Sequence, residues 1–165
     1  MSRSPRAATA LVGAAAVCAV LGTGTAASAQ PAGHCLPKVV AAWAAAWNGT
    51  DPQALGALFD AEGTYTDQAV GVVFHGRQEI AGWKARADAV IDDVHVTVRA
   101  AHRDGGHITV EAVYAGHLKG APKPFAVPMA TLLDLDDHDR IASDQDYYSL
   151  NAVLAQSGLP ADWTP

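Results

Sequence analysis

Two carboxylates stand where β-strands would not ordinarily keep them. Asp67 follows Tyr65 and Thr66 in a segment, Thr64 to Val70, that otherwise reads as a strand entering a bend, and Asp146 sits in the apolar and aromatic run Ile141 to Tyr148. Aspartate is among the poorest strand formers, so a strand that retains one is expected to use it. If both strands share a sheet, Asp67 and Asp146 can face one cavity. An apolar cavity disfavours the charged form of a carboxyl, and two carboxyls together disfavour joint ionisation, leaving one neutral near pH 7 while the other is ionised. That condition suits removal of a proton beside a carbonyl coupled to proton donation, as in aldol ring closure or double-bond migration.

The elements that must position these groups follow from hydrophobic spacing. Val39, Val40, Trp43, Ala44 and Trp47 recur at helical spacing from Pro37, with Asn48-Gly49 as a stop. Asp51 caps a second helix that Pro52 opens, and Ile80, Trp83, Ala87 and Val90 mark a third between Arg77 and Ile91. The period then changes to two: Val94, Val96 and Val98, then Ile108, Val110, Ala112 and Tyr114 after the turn at Asp104-Gly105-Gly106. Strands from Phe125 to Asp134 and Ile141 to Tyr148 follow, and Asn151 to Ser157 forms a closing turn of helix. Helices first and an antiparallel meander afterwards predict an α+β domain with the helices on one face.

Strand parity offers two arrangements. If Tyr65 and Asp67 point inward, Ala142, Asp144, Asp146 and Tyr148 do so on the last strand, with Val110, Ala112, Tyr114, Val127, Met129 and Thr131 as walls. The opposite parity for Ile141, Ser143, Gln145 and Tyr147 stays open. Tyr65, Tyr114, Trp43 or Trp83 can donate hydrogen bonds to a ligand oxygen. Structural roles compete throughout: Asp67 as a cap of the following bend, Asp146 in solvent or paired with Arg77 or Arg99, the tryptophans as core, and His75 as the residue that fixes the bend before Gly76.

The chain has 165 residues, 17 of them acidic and 11 basic. Arg3 and Arg6, the apolar run Ala7 to Leu21 and the small residues Ala27-Ser28-Ala29 read as a secretory signal over residues 1–29, cleaved after Ala29. Residues 30–36 then form a flexible segment, 37–160 a single domain and 161–165 a tail. Loss of Arg3 and Arg6 leaves 9 basic residues against 17 acidic ones, which argues against nucleic acid or an anionic membrane surface as partner. The mature product is expected to be exported and soluble, with Cys35 as its one thiol. The seven histidines are dispersed, and the acidic turn Asp134 to Asp139 lacks the internal glycine and late glutamate of a calcium loop, so no metal site is expected.

Trp43, Trp47 and Asn48, Asp51, Leu58 to Glu62, Tyr65 to Asp67, Phe74 to Gly76 with Ile80, and Arg140-Ile141 through Asp146 and Tyr148 to Leu159 together resemble the SnoaL-like polyketide cyclase group of the nuclear-transport-factor-2-like superfamily. The resemblance runs from about Val39 to Leu159. It implies a cone-shaped, strongly curved antiparallel sheet with about three N-terminal helices enclosing an apolar pocket, and a possible homodimer through the outer sheet face. Ketosteroid isomerases carry their proton-shuttling carboxylate at the position of Asp67. Limonene-epoxide hydrolases hold a tyrosine and an asparagine at Tyr65 and Asp67, and a water-activating aspartate at Asp146. This chain departs from both. Trp43 replaces the isomerase phenol and Thr131 its protonated acid, while Ala112 and Tyr114 replace the hydrolase's arginine and second aspartate.

The expected function is therefore cofactor-free acid/base catalysis, of cyclase, isomerase or hydratase type, on a small apolar carbonyl or polycyclic compound. Asp67, Asp146 and Tyr65 are the candidate catalytic residues; Trp43, Trp83, His75, Tyr114, Met129, Asp144 and Tyr148 are the candidate ligand contacts. The alternative is a secreted, non-catalytic module that binds a small apolar ligand or dimerises, which export and the altered oxyanion donors both favour.

Overall fold

The computed structural model describes residues 36–163. The expected leader with its cleavage point, residues 30–35 and Cys35 lie outside the described residues.

The first helix, α1 (Lys38–Asn48), buries Val40, Trp43, Ala46 and Trp47 on one stripe. Its last residue is clamped to the sheet: Asn48 Nδ2 donates to the Val96 carbonyl at 3.0 Å, and the Val96 amide donates to Asn48 Oδ1 at 2.6 Å. The short α2 (Pro52–Gly56) is capped by Asp51, whose carboxylate accepts from the Gln53 amide. Strands β1 (Phe59–Asp67) and β2 (Val72–His75) precede α3 (Gly76–Val90), which passes without a loop into β3 (Ile91–Asp104). The meander continues through β4 (His107–Leu118), β5 (Phe125–Leu135) and β6 (Ile141–Tyr148). Helix α4 (Leu150–Ser157) is capped at one end by Ser149 and ended by Gly158, whose left-handed φ of 75° lets its amide close on Ala155 and Leu154.

The α+β class stands, but three expectations about its layout are corrected. The sheet is mixed, because β6 returns beside β1 and pairs with it in parallel. It is one open six-stranded sheet in the order β2-β1-β6-β5-β4-β3, ending at free edges, and not a strongly curved antiparallel cone. Two helices, not about three, precede it, since β1 and β2 intervene before α3. No described helix is long and apolar enough to cross a membrane.

The parallel pair positions the site. Its register sets Tyr65 opposite Asp144 and Asp67 opposite Asp146, after a shift between Phe59 and Thr64. Gly63 lies within that shift, where an added Cβ would come within 2.9 Å of the Ile141 carbonyl and 3.1 Å of the Phe59 side chain. Only a residue without a side chain lets the strands approach so closely. On the other side of β6, Thr131 of β5 is opposite Asp146 and Met129 is opposite Tyr148.

Alternation places Val110, Ala112 and Tyr114 of β4, and Val127, Met129 and Thr131 of β5, in the core as expected. On β6 the inward parity holds for Asp144 and Asp146 but not for Ala142. The ladder shifts beside Leu135, so Ile141 is buried instead.

Candidate functional site

The inner face of the sheet, with α1, α3 and α4, encloses a cavity of about 640 Å³. That volume and its predominantly apolar and aromatic lining suit a small apolar ligand. Seven of the ten expected site residues line it: Tyr65, Asp67 and Trp83, then Tyr114 and Met129, and finally Asp146 and Tyr148.

Asp146 is 3% exposed and held through both oxygens. Tyr65 donates its hydroxyl to Oδ2 at 2.7 Å, and Thr131 donates to Oδ1 at 2.5 Å. Burial raises the Asp146 pKa to about 6, against the two hydrogen bonds, which favour the carboxylate, and with added repulsion from Asp67. Neither Arg77 nor Arg99 pairs with it: Arg77 instead donates to the Phe59 carbonyl.

Asp67 combines two roles that the sequence left as alternatives. Its Oδ1 accepts from the amides of Ala69 and Val70 at 3.0 and 2.9 Å, which fixes the turn after β1. Its Oδ2 accepts from the Tyr148 hydroxyl at 2.9 Å on the cavity side. Burial raises its pKa, and these three donors oppose the rise. Burial and the neighbouring carboxylates push the Tyr65 and Tyr148 phenols above their ordinary pKa, so both remain protonated donors.

Three expected contacts lie elsewhere. Asp144 is fully buried behind the cavity wall, where Trp43 Nε1 donates to its Oδ2 at 2.9 Å and its Oδ1 has no partner. Burial, with repulsion from Asp146, raises its pKa well above the ordinary value and so favours its neutral form. Trp43 is likewise core, with its indole engaged by Asp144. His75 is exposed at the N-terminus of α3, where its amide donates to Glu79, and it does not reach the cavity.

Other lining residues were not singled out as ligand contacts. Trp47 lines the cavity, and its Nε1 is buried without a partner. It packs 6.0 Å from the Tyr65 ring, with Lys84 Nζ 5.9 Å from its own ring centroid. Phe125, Arg86 and Trp163 also line it, the last from the segment expected as a tail. Spacing alone marks Trp47 as core; only the approach of β1 and α3 turns one of its edges toward the cavity. Among the described residues no cluster of His, Cys, Asp and Glu could hold a metal ion. The acidic turn is tied up locally: Asp136 accepts from the amides of His138 and Arg140, Asp139 pairs with Arg103 and Asp134 with His107.

The arrangement is thus a buried carboxylate with a near-neutral pKa, a second carboxyl behind it whose neutral form burial favours, and phenols that hold the carboxylates in place. Of the expected oxygen donors, Tyr65 and Trp43 are engaged by Asp146 and Asp144. Tyr114 and Trp83 remain to face a ligand, whereas the Nε1 of the additional Trp47 is buried.

No curated protein matches the chain. Among solved structures, a protein with a ketosteroid isomerase-like fold from Catenulispora acidiphila DSM 44928, in complex with trimethylamine, is 66% identical. That match has a TM-score of 0.77 and covers 78% of this chain and 98% of the other. An LEH-like epoxide hydrolase from M. tuberculosis superposes with a TM-score of 0.60 at 18% identity, covering 72% of this chain and 85% of the other. An NTF2-like protein from Burkholderia thailandensis E264 gives 0.63 at 21% identity, with 74% and 95% covered. The latter two likenesses show the shared fold alone. The family model of the SnoaL-like domain matches residues 40–143, which span α1, the whole meander and the start of β6, and the chain belongs to that family.

Proposed function

We propose that the cavity performs acid/base chemistry of cyclase, isomerase or hydratase type on a small apolar carbonyl compound, without a cofactor, and that Asp146 is the proton acceptor. The observation that carries this reading is a buried carboxylate with a pKa of about 6 at the wall of an apolar cavity. Such a group is mostly ionised at pH 7 and strong enough as a base to take a proton from a carbon beside a carbonyl. The electron pair left on carbon delocalises to the carbonyl oxygen, which Tyr114 is placed to meet as a donor. The proton on Asp146 then returns to a different carbon in an isomerisation, or to the new alkoxide when the enolate attacks a second carbonyl. Burial keeps the Asp146 pKa high, the charge of Asp67 adds to it, and Asp67 also orients Tyr148.

The test is deuterium exchange at the α-carbons of 2-tetralone in D2O, followed by proton NMR. Exchange above background that disappears in Asp146→Asn supports the assignment; exchange equal in the variant, or absent in the wild type, refutes it. The export reading attached to the leader is tested by N-terminal sequencing of protein recovered from the medium, which should begin at Gln30.

A second reading is favoured by the trimethylamine bound in the 66% identical structure. A protonated amine could sit among the Trp47, Tyr65 and Tyr114 rings with Asp67 and Asp146 as counter-charges, and be bound without turnover. Calorimetry with trimethylammonium chloride separates the two. Saturable binding lost in Asp146→Asn, together with no tetralone exchange, selects the binding module.

A further inference from the structure

We infer that the ligand of this cavity carries an anionic group that docks on Arg86 at the rim while its apolar body lies inside. The inference rests on the reading that the cavity takes a small apolar ligand, and adds the charge and orientation of that ligand.

Arg86 is exposed on α3, yet it lines the cavity, and it is the only Lys or Arg that does so among the described residues. Its guanidinium carbon lies 5.0 Å from the Phe74 ring centroid and 5.8 Å from that of Trp83. Those two rings are themselves stacked at 5.0 Å. Cation–π attraction therefore parks the charge on a rigid aromatic shelf instead of leaving it on a free side chain. Among the described residues it makes no ion pair or hydrogen bond, whereas Lys84, Arg103 and Lys119 all do. A guanidinium is charged at every physiological pH, and its planar fork of donors fits a carboxylate, sulfonate or phosphate.

The rest of the rim is apolar. Val70, Val90 and Leu150 line the cavity and are 45%, 37% and 36% exposed. A ligand that covers them gains apolar burial while its charged end remains at the water boundary beside Arg86. The opposite orientation is penalised, because an anion driven inward would meet Asp67 and Asp146 with no cation in the cavity wall to offset them. The charge pattern thus fixes direction: anion at the rim, and the reacting or neutral end toward Asp146.

The measurement is a fluorescence titration with two dyes of one aromatic skeleton, 8-anilinonaphthalene-1-sulfonate and neutral N-phenyl-1-naphthylamine. The wild type should bind the sulfonate about tenfold more tightly, the size of one charge-assisted hydrogen bond at a half-exposed site. The two dyes should compete for one site, and the preference should shrink in 1 M salt, where the screening length is about 3 Å. Arg86→Met, which keeps the aliphatic stem over the rings, should bring the two affinities together and leave the neutral dye unchanged. Equal affinities in the wild type, a preference that survives in Arg86→Met, or dyes that do not compete would overturn the inference while the cavity reading stands. Failure of both dyes to bind would overturn the cavity reading and the inference together.

Discussion

Tyr65 and Asp146 lie 81 positions apart, yet the Tyr65 hydroxyl donates to Asp146 Oδ2 at 2.7 Å inside the core. The contact exists because β6 returns alongside β1, and it makes one strand supply the donor for the other's carboxylate. Asp146 is still not a low-pKa acid: its burial outweighs both hydrogen bonds and lifts it to about 6. Keeping that carboxylate buried therefore costs stability at neutral pH.

The first prediction concerns that cost. A carboxyl whose folded pKa lies above its unfolded value binds a proton more tightly when folded, so its contribution is complete below the unfolded pKa and is lost as pH rises through the folded one. For Asp146 the window runs from the ordinary value of 3.8 to about 6, and the loss across it is on the order of 3 kcal/mol as an upper bound. Asp67 and Asp144 shift in the same direction. Thermal unfolding should therefore occur at higher temperature at pH 5 than at pH 7.5, and Asp146→Asn should flatten the profile. A stability maximum at pH 7.5 in the wild type would contradict the burial of these groups as ionisable acids.

Trp43 and Asp144 give a second. Burial favours the neutral form of Asp144, so Asp144→Asn, which exchanges that acid for another uncharged acceptor at the Trp43 indole, should change stability by less than about 1 kcal/mol at pH 7. Trp43→Phe removes the only donor to a fully buried carboxyl and shrinks the core, so it should cost about 3 kcal/mol. Urea denaturation of both variants tests the ordering. An Asp144→Asn loss as large as that of Trp43→Phe would mean that Asp144 is ionised in the fold.

How much of this could be read from residue order depends on range. Helical spacing gave α1 its buried stripe and α3 only part of its own, Ile80 and Ala87 with Val90 left exposed, while period-two alternation gave β4 and β5 their inward residues, because both are properties of consecutive positions. Asp67 and Asp146 were visible as strand-propensity anomalies. The parallel pairing of β1 with β6 was not legible, since no local pattern records which distant strand a chain returns to. The same holds for the irregularity that buries Ile141 in place of Ala142, and for Asn48, whose amide side chain looks like a helix stop but serves as a clamp on Val96. His75 looked like a ligand contact because the sequence does not show that the end of β2 leaves it exposed.

Lys84 was likewise invisible, and it carries the third prediction. It is 0% exposed within α3, and its ammonium reaches the Asp88 carboxylate at 2.6 Å and the Gly49 carbonyl at 2.9 Å. One residue thus ties α3 to the end of α1, where Trp47 enters the cavity. Lys84→Ala should cost about 2 kcal/mol, below the range for fully buried pairs because Asp88 is 32% exposed. Lys84→Met keeps the packing of the stem and should recover about half of that loss. If Lys84→Ala is neutral in calorimetric melting, the pair contributes no net stability and the end of α1 is clamped by Asn48 and its packing without it.

Tyr65 and Thr131 furnish the last prediction, because they donate to opposite oxygens of one carboxylate. Removing either donor, by Tyr65→Phe or Thr131→Val, should raise the Asp146 pKa above about 6, since each bond favours the ionised form. At pH 8 each single variant should lose about 1–2 kcal/mol, the scale of a hydrogen bond to a charged group. The double variant should lose less than the sum. Once both donors are gone the carboxyl holds its proton, and a neutral acid no longer needs them. At pH 4.5, where Asp146 is protonated in every form, the coupling should vanish. A carbon-detected titration of Asp146 in the four proteins, beside urea denaturation at both pH values, measures the pKa and the coupling separately. Strict additivity at pH 8 would show that Asp146 stays ionised without its donors, and that another group, not burial, sets its charge.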